Sequence, residues 1–243
     1  MTDHAIVTGA GTGLGRAMAL KLSAAGCHVI GVGRRVEPLE SLEDDAPGAV
    51  TTVSADVGLP EGRQAVADAV PADGQLRYLI HNAGVLEPVG PLSDVSLKDW
   101  HYSQAINVEA PLFLTQLLLP RLIGGRVLHI SSGAAHRSIP GWGAYCTSKA
   151  ALHMLYMVLR DELAEHGVAV GSLRPGVVDT PMQALIREQP EDRFPAVERF
   201  RELKSSGALH DPDAVAGFAV HLLTEVDAER FVEEEWEYDQ HRR

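Results

Sequence analysis

The chain has 243 residues, 45% of them hydrophobic, with 21 basic and 33 acidic side chains and a formal net charge of −12. That length suits a single α/β domain with a substantial core, and the acidic balance offers no basic face to a nucleic-acid partner. No apolar run reaches the roughly 18 residues a membrane span needs, and the first predicted strand begins too near Met1 for a signal peptide, so a cytoplasmic protein with no membrane partner is expected.

In chain order, Ala5-Ile6-Val7 is a short apolar strand, Thr8 to Gly15 is a glycine-rich turn, and residues 16–25 form a helical run. A glycine-rich turn alone can be purely structural. Placed between a strand and a helix, it has the context of a dinucleotide fingerprint: glycines let the backbone approach a pyrophosphate, and the helix start presents free N–H groups. Predicted strands follow at His28–Gly33, Val50–Ser54, Leu76–His81, Arg126–Ile130 and 168–173, with helices at 38–44, 61–70, 97–122 and 144–166. This alternation predicts a doubly wound Rossmann-type α/β domain spanning 1–243, with a mainly parallel sheet covered by helices on both faces.

The second strand ends in Gly33-Arg34-Arg35. NAD-binding proteins of this fold commonly place an acid there, about 20 residues beyond the glycine motif. Here no carboxylate would repel a 2′-phosphate, and a guanidinium can grip one in bidentate fashion; NADP(H) is the expected cofactor, with Arg34 its phosphate ligand. Cys27 and Cys146 fit no metal or disulfide pattern. His81 reads as a strand-end residue with a local hydrogen bond, while His136 and His153 carry no signal. Tyr145 and Lys149, in Gly143-Ala-Tyr-Cys-Thr-Ser-Lys149, share one helix face. An ammonium beside a phenol lowers the phenol pKa and turns it into a usable proton donor or acceptor. Segment 181–210 carries Pro190, Pro195 and several charges, breaks the rhythm, and follows a strand end where ligands bind; it is expected to be a substrate lid. In the tail, 225–243, the run Glu233-Glu234-Glu235 reads as solvated.

These motifs resemble the short-chain dehydrogenase/reductase family over almost the whole chain. The family's Thr-Gly-x-x-x-Gly-x-Gly matches Thr8 to Gly15, its Asn-Asn-Ala-Gly matches His81-Asn82-Ala83-Gly84, and its Tyr-x-x-x-Lys matches Tyr145 to Lys149. Its catalytic Asn matches Asn107, its catalytic Ser matches Ser132, and its Pro-Gly-x-x-x-Thr matches Pro175 to Thr180. The runs Asn82 to Val89, Trp142 to Tyr145 and Val178 to Gln183 are similar to the benzil reductase and sepiapterin-reductase-like branch, which reduces one carbonyl of a vicinal diketone with NADPH. His81 departs from the family's Asn, and Thr12 stands where NADPH-preferring relatives often carry a second basic residue.

The resemblance implies an NADPH-dependent carbonyl reductase. Tyr145 would protonate the carbonyl oxygen, Lys149 would lower the Tyr pKa and hold the nicotinamide ribose, and Ser132 would steady the developing alkoxide. Asn107 would hold a water linking Lys149 to solvent. Cofactor contacts are expected from Gly9, Thr12, Gly13, Leu14, Gly15, Arg34, Asp56, Val57, Asn82, Ala83, Gly84, Tyr145, Lys149, Pro175, Gly176, Val178 and Thr180. Substrate contacts are expected from Leu86, Ser132, Trp142, Tyr145 and Met182, with Ala134 and Ile186 beside them. That set is mostly apolar and suits a neutral, bulky or aryl carbonyl compound. A sepiapterin-type or ketoacyl reductase is the alternative; a non-catalytic dinucleotide-binding regulator would carry a damaged tetrad, and all four residues are present. The family's seventh strand has only a poor match, at Arg230-Phe231-Val232. The helices at 97–122 and 144–166 carry more apolar positions than one core-facing stripe needs, which predicts a homodimer.

Overall fold

A computed structural model describes residues 3–72 and 74–242. Its strands are β1 (His4–Thr8), β2 (His28–Gly33), β3 (Val50–Ser54), β4 (Leu76–His81), β5 (Arg126–Ile130), β6 (Ala169–Arg174) and β7 (Trp236–Glu237). They form one parallel sheet in the order β3-β2-β1-β4-β5-β6-β7. The helices are α1 (Gly13–Ala24), α2 (Val36–Asp45), α3 (Pro60–Asp68), α4 (Leu97–Gln104), α5 (Ala110–Leu122), α6 (Gly143–Leu163), α7 (Pro181–Arg187), α8 (Val197–Ser205) and α9 (Pro212–Thr224). Two short terminal turns follow, α10 (Ala228–Phe231) and α11 (Tyr238–His241).

Strand alternation assigns side chains to two cores. Ala5, Val7, Val29, Ile80, Leu128 and Leu173 face α1 and α9, where Met18, Leu22, Val215 and Ala219 meet them. Ile6, Ile30, Leu79, Val127 and Val170 face the other way, against Val66 of α3, Leu114 and Leu118 of α5, and Tyr156 and Leu159 of α6. Every residue of β1 is buried, as a central parallel strand covered on both faces requires. Burying each Leu or Ile of these layers contributes about 1.5–3 kcal/mol. The strand order reverses beside β1, between β2 and β4, and the crevice at the carboxyl ends of β1 and β4 is the topological switch point where ligands bind.

Three expectations need correction. The helix predicted over 97–122 is interrupted by a π turn at Ala105–Glu109, which contains Asn107. A π turn packs one residue more into the helix, and all five residue types there are compatible with an ordinary helix. The seventh strand is Trp236–Glu237, paired with Leu173 and Arg174, whereas Arg230-Phe231 lies in α10. Phe231 is buried there because β6 offers it a glycine: a Cβ on Gly171 would stand 2.5 Å from the ring. The acidic run is only partly solvated, since the Glu235 side chain is 8% exposed.

Segment 181–210 holds α7 and α8 and packs over the carboxyl ends of the strands. Phe194 stacks on Trp142 with ring centroids 4.8 Å apart and planes 6° from parallel, and Phe200 leans on both. Leu86, Ala134, Ile186 and Val197 complete this third apolar cluster. Arg193 fastens its middle to Asp94 at 3.1 Å and to the Val89 carbonyl at 3.2 Å. Lys204 fastens its end to Asp179 at 2.6 Å.

Candidate active site

The site is built from the strand ends upward. Thr8, the last residue of β1, accepts hydrogen bonds at Oγ1 from the backbone N–H groups of Asn82 and Ala83, both at 3.0 Å, and donates to the Ile80 carbonyl at 3.2 Å. Asn82 Nδ2 donates back to the Thr8 carbonyl at 2.9 Å. The glycine turn is thereby clamped to the end of β4. Gly9 has φ +69°, a left-handed conformation that disfavours a side chain. A Cβ on Gly15 would meet the Gly9 carbonyl at 2.2 Å, so only glycine lets α1 start this close to the turn.

From this turn a cleft of about 850 Å³ runs across the strand ends. Gly9, Thr12, Gly13, Leu14, Gly15, Arg34, Asp56, Val57, Asn82, Ala83, Gly84, Pro175, Gly176, Val178 and Thr180 all line it, as do Leu86, Ala134, Trp142, Met182 and Ile186. The glycine cradle at the start of α1, open toward this cleft, fits a dinucleotide pyrophosphate. Arg34 and Arg35 stand at the far end, and Arg34 Nη1 donates to the Tyr102 hydroxyl, with its guanidinium carbon 6.0 Å from that ring. Asp56 Oδ1 accepts from the Gly58 N–H at 2.9 Å, so the carboxylate shapes its own turn while facing the cleft. His81 lies behind the cleft; its Nε2 bonds Thr115 Oγ1 at 2.8 Å, a partner on α5 and not the local one expected.

Tyr145 and Lys149 lie one turn apart on α6, both facing the sheet and both buried. Ser132, two residues beyond β5, stands beside the Tyr145 phenol in the cleft wall and accepts the Ala134 N–H at 3.1 Å. Lys149 Nζ donates to the Ile130 carbonyl at 2.9 Å and sits 5.8 Å from the Tyr145 ring centroid. Asn107 sits behind them and does not line the cleft: Oδ1 accepts from Val85 N–H at 2.9 Å, and Nδ2 donates to the Val85 carbonyl at 2.8 Å and to Ser148 Oγ at 2.9 Å. Its amide thus holds the loop after β4 to α6.

The expected lowering of the Tyr145 pKa by Lys149 is reversed in the chain without ligand. Burial pushes Tyr145 up to about 12 against the Ser132 hydrogen bond, and burial draws Lys149 down to about 8. Desolvation outweighs charge because both groups lie deep and the ammonium is turned to the Ile130 carbonyl. Tyr145 therefore remains a protonated phenol at neutral pH.

The sequence missed several cleft residues. Arg35, Val85, Ile139, Arg199 and Phe200 line it, and Tyr102 supports Arg34 from α4. Phe200 belongs to a charged stretch whose fold-back onto Trp142 is a tertiary event, and Tyr102 is an isolated aromatic on a polar helix.

Residues 3–191 match the family described as short chain dehydrogenase, and the chain belongs to that family. It is an NAD(P)-dependent oxidoreductase. It is similar to a benzil reductase ((S)-benzoin forming) of Bacillus subtilis (strain 168), 35% identical over 229 residues that cover 90% of this chain and 92% of the relative. This likeness agrees with the branch that the motifs pointed to. Among solved structures it is similar to the KRED1-Pglu enzyme, with a TM-score of 0.88, 33% identity, and coverage of 96% of this chain and 98% of that one. A metagenomic short-chain oxidoreductase in complex with NADP is similar with a TM-score of 0.78, 28% identity, and coverage of 97% and 96%. Among the described residues, no helix is long and apolar enough to cross a membrane.

The buried lysine gives stability a pH signature. The unfolded chain keeps the Lys149 proton up to about 10.5 and the folded chain only up to about 8. Between those values the unfolded state binds more protons, so stability rises with pH there and the burial penalty is complete below about 8. Wild type should gain on Lys149→Met by up to about 1.4 kcal/mol per pH unit within that window, measured by denaturant unfolding from pH 7 to 10; parallel curves would contradict the assignment.

Proposed function

We propose that the protein reduces one carbonyl of a neutral vicinal diketone of the benzil type to the hydroxy compound, using NADPH. The observation that carries this reading is the placement of Tyr145, with Ser132 and Lys149 beside it, at the point where the glycine-lined cleft meets an apolar, aromatic pocket. Residues Gly9 to Gly15, Asn82 to Gly84 and Pro175 to Thr180 would hold the dinucleotide, which when bound supplies the hydride. Tyr145 donates its proton to the substrate oxygen, and Ser132 hydrogen-bonds that oxygen as its negative charge develops. Lys149 stands behind the phenol to return its proton and to hold the nicotinamide ribose, while Asn107 keeps the loop before Leu86 at the correct distance from α6. Leu86, Trp142 and Met182 form the substrate wall, and segment 181–210 acts as the lid that excludes water.

The benzil reductase of Bacillus subtilis supports the substrate class, as does the Trp142, Phe194 and Phe200 aromatic stack beside Tyr145. Arg34, positioned by Tyr102, supports NADPH over NADH. Exposed Phe113 and Leu117 on α5 and Met154 and Val158 on α6 support a homodimer through those helices. Two free thiols, Cys27 and Cys146, suit a reducing cytoplasm.

Benzil, smaller diketones, quinones and sepiapterin form the deciding substrate panel, read by NADPH oxidation. Benzil turnover should lead, and Tyr145→Phe should fold and lose at least about a hundredfold in rate; near-wild-type turnover in that variant removes Tyr145 from the reaction. Arg34→Ala should raise KM for NADPH far more than for NADH, because only the phosphate contact is lost; an equal rise for both cofactors refutes its role. Light scattering at micromolar concentration should give twice the 26.1 kDa chain mass, and a clean monomer mass would sink the dimer.

A further inference from the structure

We propose that His136, His153 and Glu235 form a binding site for one divalent transition-metal ion of the zinc type, beside the reductase centre. The three come from separate parts of the chain: the turn after Ser132, the helix turn after Lys149, and the tail entering β7. Their donor atoms nevertheless lie within 4.8 Å of one another. His136 Nε2 is 2.8 Å from Glu235 Oε2, and His153 Nδ1 is 3.3 Å from Oε1. The two rings meet edge to face, 4.5 Å between centroids at 72°, so both present a nitrogen to the same carboxylate.

Glu235 is unlike its neighbours. The Glu233 and Glu234 side chains are 65% and 43% exposed, whereas that of Glu235 is only 8% exposed, and a carboxylate so shielded must be held. Ser172 Oγ donates to Oε1 at 2.9 Å and Arg174 Nε lies 3.0 Å from Oε2. The further lone pair of each oxygen meets an imidazole nitrogen in a hydrogen bond that a metal ion would replace. Fixing a ligand carboxylate from behind is how surrounding hydrogen bonds orient a metal site.

Charge permits a dication. The Arg174 guanidinium also pairs with Glu237, so Arg174, Glu235 and Glu237 sum to one negative charge with neutral imidazoles. His136 and His153 retain 35% and 23% side-chain exposure, which leaves an entry path and open positions for water. Two imidazoles and one carboxylate suit zinc, cobalt or nickel; magnesium and calcium prefer all-oxygen sets. A bound ion would fasten the tail to α6 and to the turn after β5 at once.

The test uses the 243-residue chain stripped with a chelator and titrated with Co²⁺ alone. One Co²⁺ per chain should bind, with the visible bands of a four- or five-coordinate site, and Zn²⁺ should displace it. Affinity should fall at least about tenfold in His153→Ala, Glu235→Gln and His136→Gln. His221→Ala, which removes an exposed histidine paired with Glu225 on α9, should leave it unchanged. If burial makes the Glu235 variant unfold, wild type and His136→Gln decide, because His136 sits on an exposed turn. The absence of a one-to-one site in wild type, an unchanged affinity in His136→Gln, or an equal loss in His221→Ala overturns the proposal. None of these readings depends on turnover, so a failed reductase assay does not affect them.

Discussion

The clamp between β1 and β4 is the constraint on which the rest of the site depends. One threonine hydroxyl takes two backbone N–H groups and gives its own proton to Ile80, while one asparagine amide returns a bond to the first strand. Each such bond contributes only about 0.5–1.5 kcal/mol net. Together they fix where the glycine turn ends relative to the loop that carries Gly84, Val85 and Leu86. That loop is in turn held to α6 through Asn107 and Ser148. The glycine turn, the loop that carries Leu86 and helix α6 are thus referred to one set of strand ends.

At Tyr145 and Lys149 two effects oppose each other, and depth decides between them. Two groups at helical spacing should share charge to the benefit of the phenolate. Burial of both instead favours the neutral forms, so the phenol keeps its proton and the lysine sheds one more readily. A phenol pushed up to about 12 and an ammonium drawn down to about 8 are thereby set side by side. The same burial extends under the helix, where the His81 and His129 rings lie 5.0 Å apart, tilted by 41°, and burial holds both below the usual histidine range. Beneath α6 the sheet therefore carries polar side chains without charge.

Much of this was legible in the residues. The strands were readable because apolar runs are short and bounded by turns, and Thr8 to Gly15, Tyr145 and Lys149 were readable because their spacing is local. What was hidden depends on contacts distant in the chain. The π turn uses ordinary helix formers, and its Asn107 meets a partner, Ser148, on another helix. The place of β7 follows from room that Gly171 makes for Phe231, more than fifty residues apart. Glu235 looks like its two acidic neighbours until the strand turn carries it inward, and His136 and His153 acquire meaning only beside it. The sign of the Tyr145 shift was missed for the same reason, since spacing reports neighbours and not depth.

The π turn at Ala105–Glu109 has one more consequence. Adding a residue to a helix rotates everything beyond it by about 100° relative to everything before. Tyr102, which steadies Arg34, lies before the turn, while Phe113 and Leu117, which face outward, lie after it. The extra residue therefore sets the angular phase between two halves of one continuous rod. Removing it would restore a regular helix and leave either the phenol or the outer apolar face pointing the wrong way, so the two surfaces are inherited as a single unit.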